Sequence, residues 1–362
     1  MLVVTLILLF VLALWALGWW LGRGEDLTAW DHPVEPAGQE RFARPGGPSP
    51  EHLQAEENIR AMGAQLEGLS QRQRLKFTRD FMEQFPAGRE FDCAFRAVDA
   101  GGVPAEWVLA PGANPARRVL YIHGGAFIAG SPNSHRTITS RWSEVAGAAV
   151  LAIDYRLLPE FRRQEGIDDC RAAYRWILDH GPDGPAAPEQ LYVSGDSAGG
   201  NLSLVIAAWA RDAGLRLPDG VVALSPLTDS TYSGPSIRKN LETDTMLGPL
   251  FGALLKIPRP VLSWLFLLEN HFRQANPAVS PIFGDLSGLP PTLVQVSEAE
   301  MLLDDARRYV NKARAAGSPA RLQSWAGLLH VWQIMNPEVP EAMEAFDQIA
   351  GFVRSIPDRP RD

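Results

Sequence analysis

The sequence predicts a doubly wound α/β domain preceded by an N-terminal membrane-crossing helix. Three observations lead to this prediction: short β-rich runs alternate with helical stretches from about residue 90, several of these runs are continuously apolar, and the chain opens with a long uncharged segment. Alternating strands and helices are typical of α/β domains. Continuously apolar strands are expected where helices cover both faces of a mostly parallel sheet.

The opening segment, residues 2–22, carries no charged side chain. At about 1.5 Å of rise per residue, some 20 helical residues cross the roughly 30 Å of a bilayer core. Three tryptophans gather toward its end, where indoles favour the lipid–water boundary: Trp15, Trp19 and Trp20. A cleaved signal peptide is the alternative, but its basic start, shorter apolar run and small residues at the cleavage site are absent. Residues 1–23 are therefore expected to form an uncleaved, single-pass anchor.

The distribution of charged residues limits which binding partners and which membrane orientation are expected. The chain carries a net charge of −8 and no run of Lys or Arg, which disfavours nucleic-acid binding. No basic side chain precedes the apolar segment, whereas Arg23, Arg41 and Arg44 follow it, which favours a catalytic domain on the cytoplasmic side. The two cysteines, Cys93 and Cys170, form no C-x-x-C pair. A cysteine zinc site or dithiol motif is therefore excluded, and two separate thiols are expected.

The chain after the apolar segment divides into three parts. Residues 24–50 are rich in acids, prolines and glycines, the composition of a linker. Residues 51–84 carry apolar side chains at mixed three- and four-residue spacing, which predicts helices, and we expect the segment 51–90 to form N-terminal cap helices. The catalytic α/β domain is expected over 91–356, with a cap insertion at about 230–275.

Within the α/β domain, apolar and β-branched runs predict seven strands. They are 106–110, 118–122, 148–153, 190–194, 220–224, 291–297 and 320–325. The helical stretches between them include 167–179 and 198–213. In doubly wound sheets the chemistry lies at the carboxyl ends of the strands, so residues that follow these runs are the candidates for function.

The candidate nucleophile is Ser197. Residues 190–200 read QLYVSGDSAGG, a G-x-S-x-G pattern between a strand and a helix. The sharp turn at its apex requires small neighbours, and it holds the serine hydroxyl at the top of the sheet near a helix N-terminus, where backbone N–H groups favour negative charge. The alternative is a glycine-rich turn without chemistry.

The strand at 118–122 runs into His123-Gly124-Gly125-Ala126. Small residues let the backbone approach a ligand, and successive N–H groups can point into one concavity. The expected oxyanion hole consists of this loop and the residue after the nucleophile: Gly124, Gly125, Ala126 and Ala198, with Gly124 supporting the turn. His123 precedes Ser197, the wrong chain order for a base in this fold, so a structural role is favoured for it.

The expected chain order is serine, acid, histidine. Only His271 and His330 follow Ser197. His330 lies just after the strand at 320–325, whereas no strand precedes His271, which we interpret as an accessory-element histidine.

The acid is expected just after the strand at 291–297, where several carboxylates compete. Glu300 lies in the loop itself and is the first choice for the acid that orients the imidazole. Asp304 is the alternative, although it falls where a helix begins, and a helix-start role would explain it equally well.

Together these residues resemble the bacterial hormone-sensitive-lipase-like esterases of the α/β-hydrolase fold, over about residues 55–355. The resemblance is carried by HGGAF (123–127), DYRLLPE (154–160), DDCRAAYRW (168–176), GDSAGG (195–200), SPIFGDLSGLPPTLVQ (280–295), LLDD (302–305) and the segment around His330. It implies an α/β-hydrolase with a helical cap, serine esterase or lipase-type activity on short to medium acyl esters, and no metal or cofactor.

This sequence departs from the family pattern at three places. HGGA replaces HGGG, which Ala126 should tolerate because the donor is a backbone N–H. Glu300 stands where the family has the first Asp of D-P-x-x-D. After DYRLLPE the chain continues FRRQEG in place of a His-Pro-rich stretch, which changes local substrate contacts. Some relatives open lactones or remove acetyl groups from small molecules, and the motifs do not separate these activities from esterase activity.

Residues 246–268 form a second apolar stretch, broken by three prolines and carrying two basic residues. The breaks argue against a second span. One interpretation is that cap helices in this stretch pack over the active site. The other is that the stretch rests on the bilayer beside the anchor and admits lipophilic esters. A non-catalytic ligand-binding protein on the same fold is a further alternative, but such a protein would be free to lose Ser197 or His330.

Overall fold

The computed structural model describes residues 1–357 as a large mixed sheet covered by helices. The strands are β1 (Gln39–Phe42), β2 (Ala94–Asp99), β3 (Pro104–Leu109), β4 (Asn114–Ile122), β5 (Ala148–Ile153), β6 (His180–Gly181), β7 (Gly184–Pro185), β8 (Gln190–Asp196), β9 (Gly220–Leu224), β10 (Thr292–Ser297) and β11 (Ala320–Trp325). The α-helices are α1 (Leu2–Leu21), α2 (Pro50–Gln65), α3 (Gln71–Glu83), α4 (Arg136–Ala146), α5 (Arg163–Ile177), α6 (Ala198–Asp212), α7 (Ser236–Lys239), α8 (Gly248–Leu254), α9 (Arg259–Asn270), α10 (Leu303–Ala315) and α11 (Pro340–Ser355).

Nine strands form the main sheet in the order β1-β11-β10-β9-β8-β4-β5-β3-β2. Strand β3 pairs antiparallel with β2 and β5, and the other pairs are parallel. Helices α4 and α11 cover one face and helices α5, α6 and α10 cover the other, each burying apolar side chains against the strands. The predicted α/β-hydrolase architecture, a doubly wound and mostly parallel sheet, is confirmed.

The seven predicted strands correspond to β3, β4, β5, β8, β9, β10 and β11, with ends shifted by a few residues. Strand β2 is not among them: four of its six residues are exposed and the other two half-buried, so it lacks the continuous apolar run that marks the central strands. The side chains of β5 and β8 are all buried, as expected for strands covered on both faces. The two cysteines are free thiols.

The linker prediction for residues 24–50 is wrong. Within this segment β1 pairs in parallel with β11 and extends the sheet. Leu27 and Val34 are buried against the sheet, and Asp31 forms an ion pair with Arg308. A few buried side chains and one row of backbone hydrogen bonds hold this segment on the domain, although its overall composition is that of a flexible chain.

Two groups of helices stand beside the carboxyl edge of the sheet. Helices α2 and α3 occupy the stretch predicted as helical over 51–84, separated by a turn at which Ser70 caps α3. Helices α8 and α9 occupy the broken apolar stretch 246–268 and meet at 111°. Within residues 1–357, α1 is the single helix long and apolar enough to cross a membrane, unless the bent pair of α8 and α9 is counted as one further span.

Candidate active site

Ser197 lies at the turn between β8 and α6. Its backbone has φ 52° and ψ −113°, a conformation that a residue with a side chain rarely adopts and that structures retain mainly at functional sites. Its N–H donates to the carbonyl of Leu224 on the neighbouring strand at 2.7 Å, which holds the turn at the carboxyl edge of the sheet.

Gly199, two residues after Ser197, allows the start of α6 to lie close to the sheet. A Cβ atom added at Gly199 would overlap the carbonyl oxygen of Ile122, at the end of β4. A larger residue at position 199 would push α6 away from the sheet and displace Ser197. The G-x-S-x-G pattern therefore requires a small residue at this position for steric reasons.

His330 is brought to Glu300. Its Nδ1 makes a short hydrogen bond with Glu300 Oε2, and both side chains are buried. The other carboxylate oxygen of Glu300 accepts from the Ser297 N–H at 2.6 Å and from the Ser225 hydroxyl at 2.9 Å. These two donors fix the carboxylate and leave Oε2 to orient the imidazole.

The electrostatics of the pair favour a charged imidazole. Burial lowers the pKa of His330, but the charge and hydrogen bond of Glu300 outweigh it, and the net pKa is raised above its usual 6.5. Burial also raises the pKa of Glu300, and the paired histidine offsets this only in part. The His330 Nε2 makes no hydrogen bond with any described residue, and the ring lines the same cavity as Ser197.

Asp304, the alternative acid, does not reach the histidine. Its carboxylate accepts from the Ser236 N–H at 2.6 Å and from Arg307 at 2.7 Å, and it belongs to the first turn of α10. The structure thus brings Glu300 to His330 and uses Asp304 to hold α7 against the start of α10.

The loop after β4 turns through three consecutive residues in the left-handed region: Gly125 at φ 109°, Ala126 at φ 54° and Phe127 at φ 65°. The N–H groups of Gly125 and Ala126 make no hydrogen bond with any group in residues 1–357, and both residues line the cavity that holds Ser197. Ala198, at the first position of α6, has no intrahelical acceptor for its N–H.

Gly124 differs from this set. Its N–H donates to Asp196 Oδ1 at 3.0 Å and is therefore not free to bind an oxyanion, so within the expected oxyanion hole Gly124 has only the role of supporting the turn. The residue supports the turn, because a Cβ added there would overlap the Asp196 carboxylate.

Asp196 lies next to the nucleophile, and no sequence pattern marks it as a site residue. Its buried carboxylate also accepts from the Tyr121 hydroxyl at 2.5 Å and lies 3.3 Å from His135 Nε2. Burial raises the pKa of Asp196. The nearby His135 and the hydrogen bond from Tyr121 lower this pKa by more than burial raises it, so the net pKa lies below its usual value. A fixed anion therefore lies directly behind the loop at residues 123–127, which we call the oxyanion loop after its expected role. The only sequence signal of Asp196 is its place inside the GDSAGG motif.

Arg163 is a second such residue. It begins α5, in the stretch where this chain departs from the family pattern, and it is only 3% exposed. Its guanidinium donates to Asn201 Oδ1 at 2.8 Å, and Asn201 donates in turn to the carbonyls of Leu227 and Val279. Burial lowers the pKa of Arg163 to about 10, so it remains protonated at neutral pH and places a cation beside the first turn of α6.

The other two histidines weighed from the sequence lie outside the reacting group. His123 stacks on Tyr155 with ring centres 4.4 Å apart, and its Nδ1 lies 2.7 Å from the Gly124 carbonyl. Burial lowers the pKa of His123 to about 3, so it is neutral and packs beneath the loop. His271 is exposed at the end of α9.

The cavity above Ser197 has a volume of about 160 Å³ and an almost wholly apolar wall. Helices α2 and α3, with the residue that ends α2, contribute Ile59, Met62, Gly63, Leu66, Thr78, Phe81 and Met82, and the cap side contributes Thr245, Met246, Leu247, Pro249 and Leu250. An apolar wall of this kind suits an acyl chain. No group of three His, Cys, Asp or Glu side chains in the described part of the chain is arranged to hold a metal ion.

Comparison with known proteins places these features in context. Residues 119–334 match a family described as alpha/beta hydrolase fold. An acetyl-hydrolase of Streptomyces hygroscopicus is 36% identical over 71% of this chain and 82% of its own length. The carboxylesterase/phospholipase LipF of Mycobacterium tuberculosis is 37% identical over 71% of this chain and 68% of its own. A crystal structure of an esterase from the bacterial hormone-sensitive lipase family superposes with a TM-score of 0.74 at 34% identity, covering 87% of this chain and 99% of that one.

Proposed function

We propose a catalytic mechanism for this chain. The chain belongs to the hormone-sensitive-lipase-like esterases of the alpha/beta hydrolase fold and is a carboxylic ester hydrolase. In this mechanism Ser197 is the nucleophile, His330 the general base and Glu300 the acid that orients the imidazole. The oxyanion is bound by the N–H groups of Gly125, Ala126 and Ala198.

The reaction begins when His330 Nε2 takes the proton of the Ser197 hydroxyl and the Ser197 oxygen attacks the ester carbonyl carbon. The carbonyl oxygen becomes negatively charged and accepts hydrogen bonds from the three N–H groups. Preorganised donors of this kind are worth on the order of 10²–10³ in rate each. Glu300 stabilises the imidazolium that forms, which is consistent with the raised pKa of His330.

The tetrahedral intermediate then collapses. The C–O bond to the alcohol breaks, His330 returns its proton to the leaving oxygen, and an acyl-Ser197 ester remains. Water enters, His330 removes one of its protons, and attack on the acyl carbon releases the acid and regenerates the serine hydroxyl.

One observation carries this proposal: the imidazole that Glu300 holds through Nδ1 lines the same cavity as Ser197, with its Nε2 uncommitted among the described residues. The test is hydrolysis of p-nitrophenyl butyrate and labelling by a fluorophosphonate probe. Ser197→Ala should lose both, with a fall in kcat on the order of 10⁶. Ser203→Ala, six residues further along the chain in α6, should keep both. Labelling of Ser197→Ala at the wild-type rate would refute the assignment of the nucleophile.

The cavity supports short to medium acyl groups. Its volume of about 160 Å³ is close to that of an engineered apolar cavity of about 150 Å³ that binds benzene, so a few carbon atoms fill it. A panel of p-nitrophenyl esters of increasing chain length, together with lactones and small acetylated compounds, tests this size. A kcat/KM that is highest for a lactone would favour the lactone hydrolase over the esterase.

We also propose that residues 1–23 are a single-pass membrane anchor, with the segment 246–268 as a second membrane contact and the catalytic domain on the cytoplasmic side. The support is the apolar surface of α1, of which only Gly18 and Leu21 are buried in the domain. Alkaline carbonate extraction of the full chain should leave the protein in the membrane pellet. Leu6→Arg/Leu9→Arg should release it, since each arginine costs about 2.5–3.5 kcal/mol near a span centre. An N-terminus found by mass spectrometry beyond residue 23 would indicate a cleaved signal peptide.

A further inference from the structure

Helix α1 is packed tightly on the cap helix α9. A Cβ added at Gly18 would overlap the backbone of Pro260, and one added at Gly22 would overlap the hydroxyl of Ser263. The indole N–H of Trp264 donates to the Leu14 carbonyl at 3.0 Å. The small residues of α1 therefore permit a close helix–helix contact along its last two turns.

Arg273 binds the carboxyl end of α1. Its guanidinium donates to the carbonyls of Trp20 at 2.8 Å and Arg23 at 3.0 Å, and it lies 4.1 Å from the centre of a Trp20 ring. The last carbonyls of a helix lack intrahelical partners and carry partial negative charge, so a cation there is stabilising. The apolar helix and the cap thus form one unit, which we call the anchor–cap unit (α1, α9 and Arg273).

The packing fixes the depth of this unit. Residues 2–17 are all exposed, and 16 helical residues extend roughly 24 Å, less than the roughly 30 Å of a bilayer core. A helix that crosses the membrane must therefore also use the turn that contains Gly18 and the neighbouring tryptophans. Because that turn belongs to the part of α1 that is packed on α9, a crossing by α1 would place α9 at the membrane surface.

The free side of α9 suits that position. Val261, Leu265 and Leu268 are 39%, 46% and 67% exposed, and their spacing places them on one helical stripe. Lys256 and Arg259 are exposed just before this stripe. An apolar stripe beside basic side chains is the pattern of a helix that lies in the interface of an anionic bilayer.

Helix α8 connects this surface to the cavity. Leu250 lines the cavity of Ser197 and is at the same time 48% exposed. The cavity thus meets the surface on the cap side, where α8 turns away from α9 by 111°. Met62 of α2 and Leu66, the residue that follows α2, line the same cavity. An acyl chain longer than the enclosed space can therefore extend along an apolar surface through this opening.

We propose that the anchor–cap unit holds the opening of the cavity at the bilayer surface, and that the enzyme takes bilayer-dissolved esters with an apolar acyl chain directly from the membrane. This inference rests on the proposed esterase mechanism at Ser197. It concerns how the substrate arrives, so it makes a distinct prediction: damage to the anchor–cap unit impairs hydrolysis of membrane-dissolved esters and leaves hydrolysis of soluble esters intact.

The test uses the full chain reconstituted in vesicles of equal parts phosphatidylcholine and phosphatidylserine. Each variant is assayed with p-nitrophenyl butyrate in solution and with p-nitrophenyl palmitate dissolved in the vesicles. Arg273→Ala removes the charged hydrogen bonds to α1 and should lower kcat/KM for the palmitate roughly tenfold, with no change for the butyrate. Arg175→Ala is the matched control: it removes the cation–π contact of an exposed arginine with Trp209, outside the anchor–cap unit, and should affect neither substrate.

Leu265→Glu/Leu268→Glu provides a second variant, which alters exposed side chains only and should show the same selective loss. Equal losses on both substrates, or an unchanged palmitate rate in both variants, would overturn the inference. A wild-type chain that hydrolyses neither ester would instead refute the proposed mechanism at Ser197.

Discussion

The guanidinium carbon of Arg163 lies 3.2 Å from the centre of the Phe127 ring. Phe127 ends the left-handed run of the oxyanion loop, and the same guanidinium donates to Asn201 in the first turn of α6. One buried cation therefore connects the loop that supplies Gly125 and Ala126 with the helix that follows Ser197.

The first prediction concerns this connection. Arg163→Met keeps most of the side-chain volume but removes the charge and the hydrogen bond, so the oxyanion loop should lose its fixed position relative to Ser197. A hydrogen bond to a charged group is worth about 1.5–3 kcal/mol, and we expect kcat for p-nitrophenyl butyrate to fall at least tenfold with KM little changed.

Addition of guanidinium ion to Arg163→Ala should restore part of the lost kcat, since the small cation can enter the space left by the side chain. Arg175→Met, which loses only a surface contact with Trp209, serves as the control. A change in thermal stability without any change in kcat would show that Arg163 only stabilises the fold.

The second prediction concerns pH. Only the neutral imidazole can act as the base, so kcat/KM should rise with pH through the pKa of His330, which Glu300 holds above 6.5. In Glu300→Gln the opposing charge is lost while burial remains, so this rise should move to lower pH. The maximal rate should fall by a factor on the order of 10⁴, because the imidazolium is no longer stabilised.

The matched control for that experiment is Glu298→Gln. Glu298 is partly exposed and paired with Arg41, two positions along the chain from Glu300. Its pH profile should follow that of the wild type. A profile of Glu300→Gln that moved to higher pH would contradict the assigned pairing.

The third prediction concerns the anion behind the loop. Asp196→Asn keeps an oxygen for the Gly124 N–H but loses the charge that Tyr121 and His135 face. The loop should shift away from the nucleophile, and kcat should fall roughly ten- to hundredfold, since a buried charged network is worth more than its separate bonds. Tyr121→Phe, which removes one donor only, should cost less. Rates measured under single turnover separate this effect from product release.

The fourth prediction concerns the backbone of the oxyanion loop. Gly125→Ala introduces a Cβ that overlaps the Ala129 carbonyl at a φ of 109°, and the N–H groups of the loop should move. Loss of one oxyanion donor costs on the order of 10²–10³ in kcat. Gly112→Ala is strained in the same way, at φ 76°, but has open space around it. It should lower the melting temperature and leave kcat unchanged.

A site residue can be predicted from the sequence when the pattern that marks it spans only a few neighbouring residues. The sequence points to Ser197 and the loop at residues 123–126 because a tight turn next to a strand demands small residues within a few positions. His330 followed from chain order and from its place after β11. Glu300 and Asp304 are four residues apart, and only the fold decides between them: β10 delivers Glu300 to the histidine, whereas Asp304 is already in the next helix.

Asp196 and Arg163 were missed for a different reason. Their roles depend on partners far along the chain, Tyr121 and Gly124 for Asp196, and Phe127 and Asn201 for Arg163. No periodicity or spacing marks such contacts. Strand β1 escaped for the same reason: its partner β11 lies at the other end of the chain, and the composition around it is that of a loop.

That strand has a consequence for synthesis. Gln39 pairs with Leu322. Strand β1 can therefore join the edge of the sheet only after β11, about 280 residues later in the chain, has been synthesised. At about 5–20 residues per second, this delay is roughly 15 to 60 s. Throughout that interval the hydrophobic N-terminus has emerged while the segment beside it awaits its sheet neighbour. Insertion of the proposed membrane anchor would therefore precede closure of the enzyme.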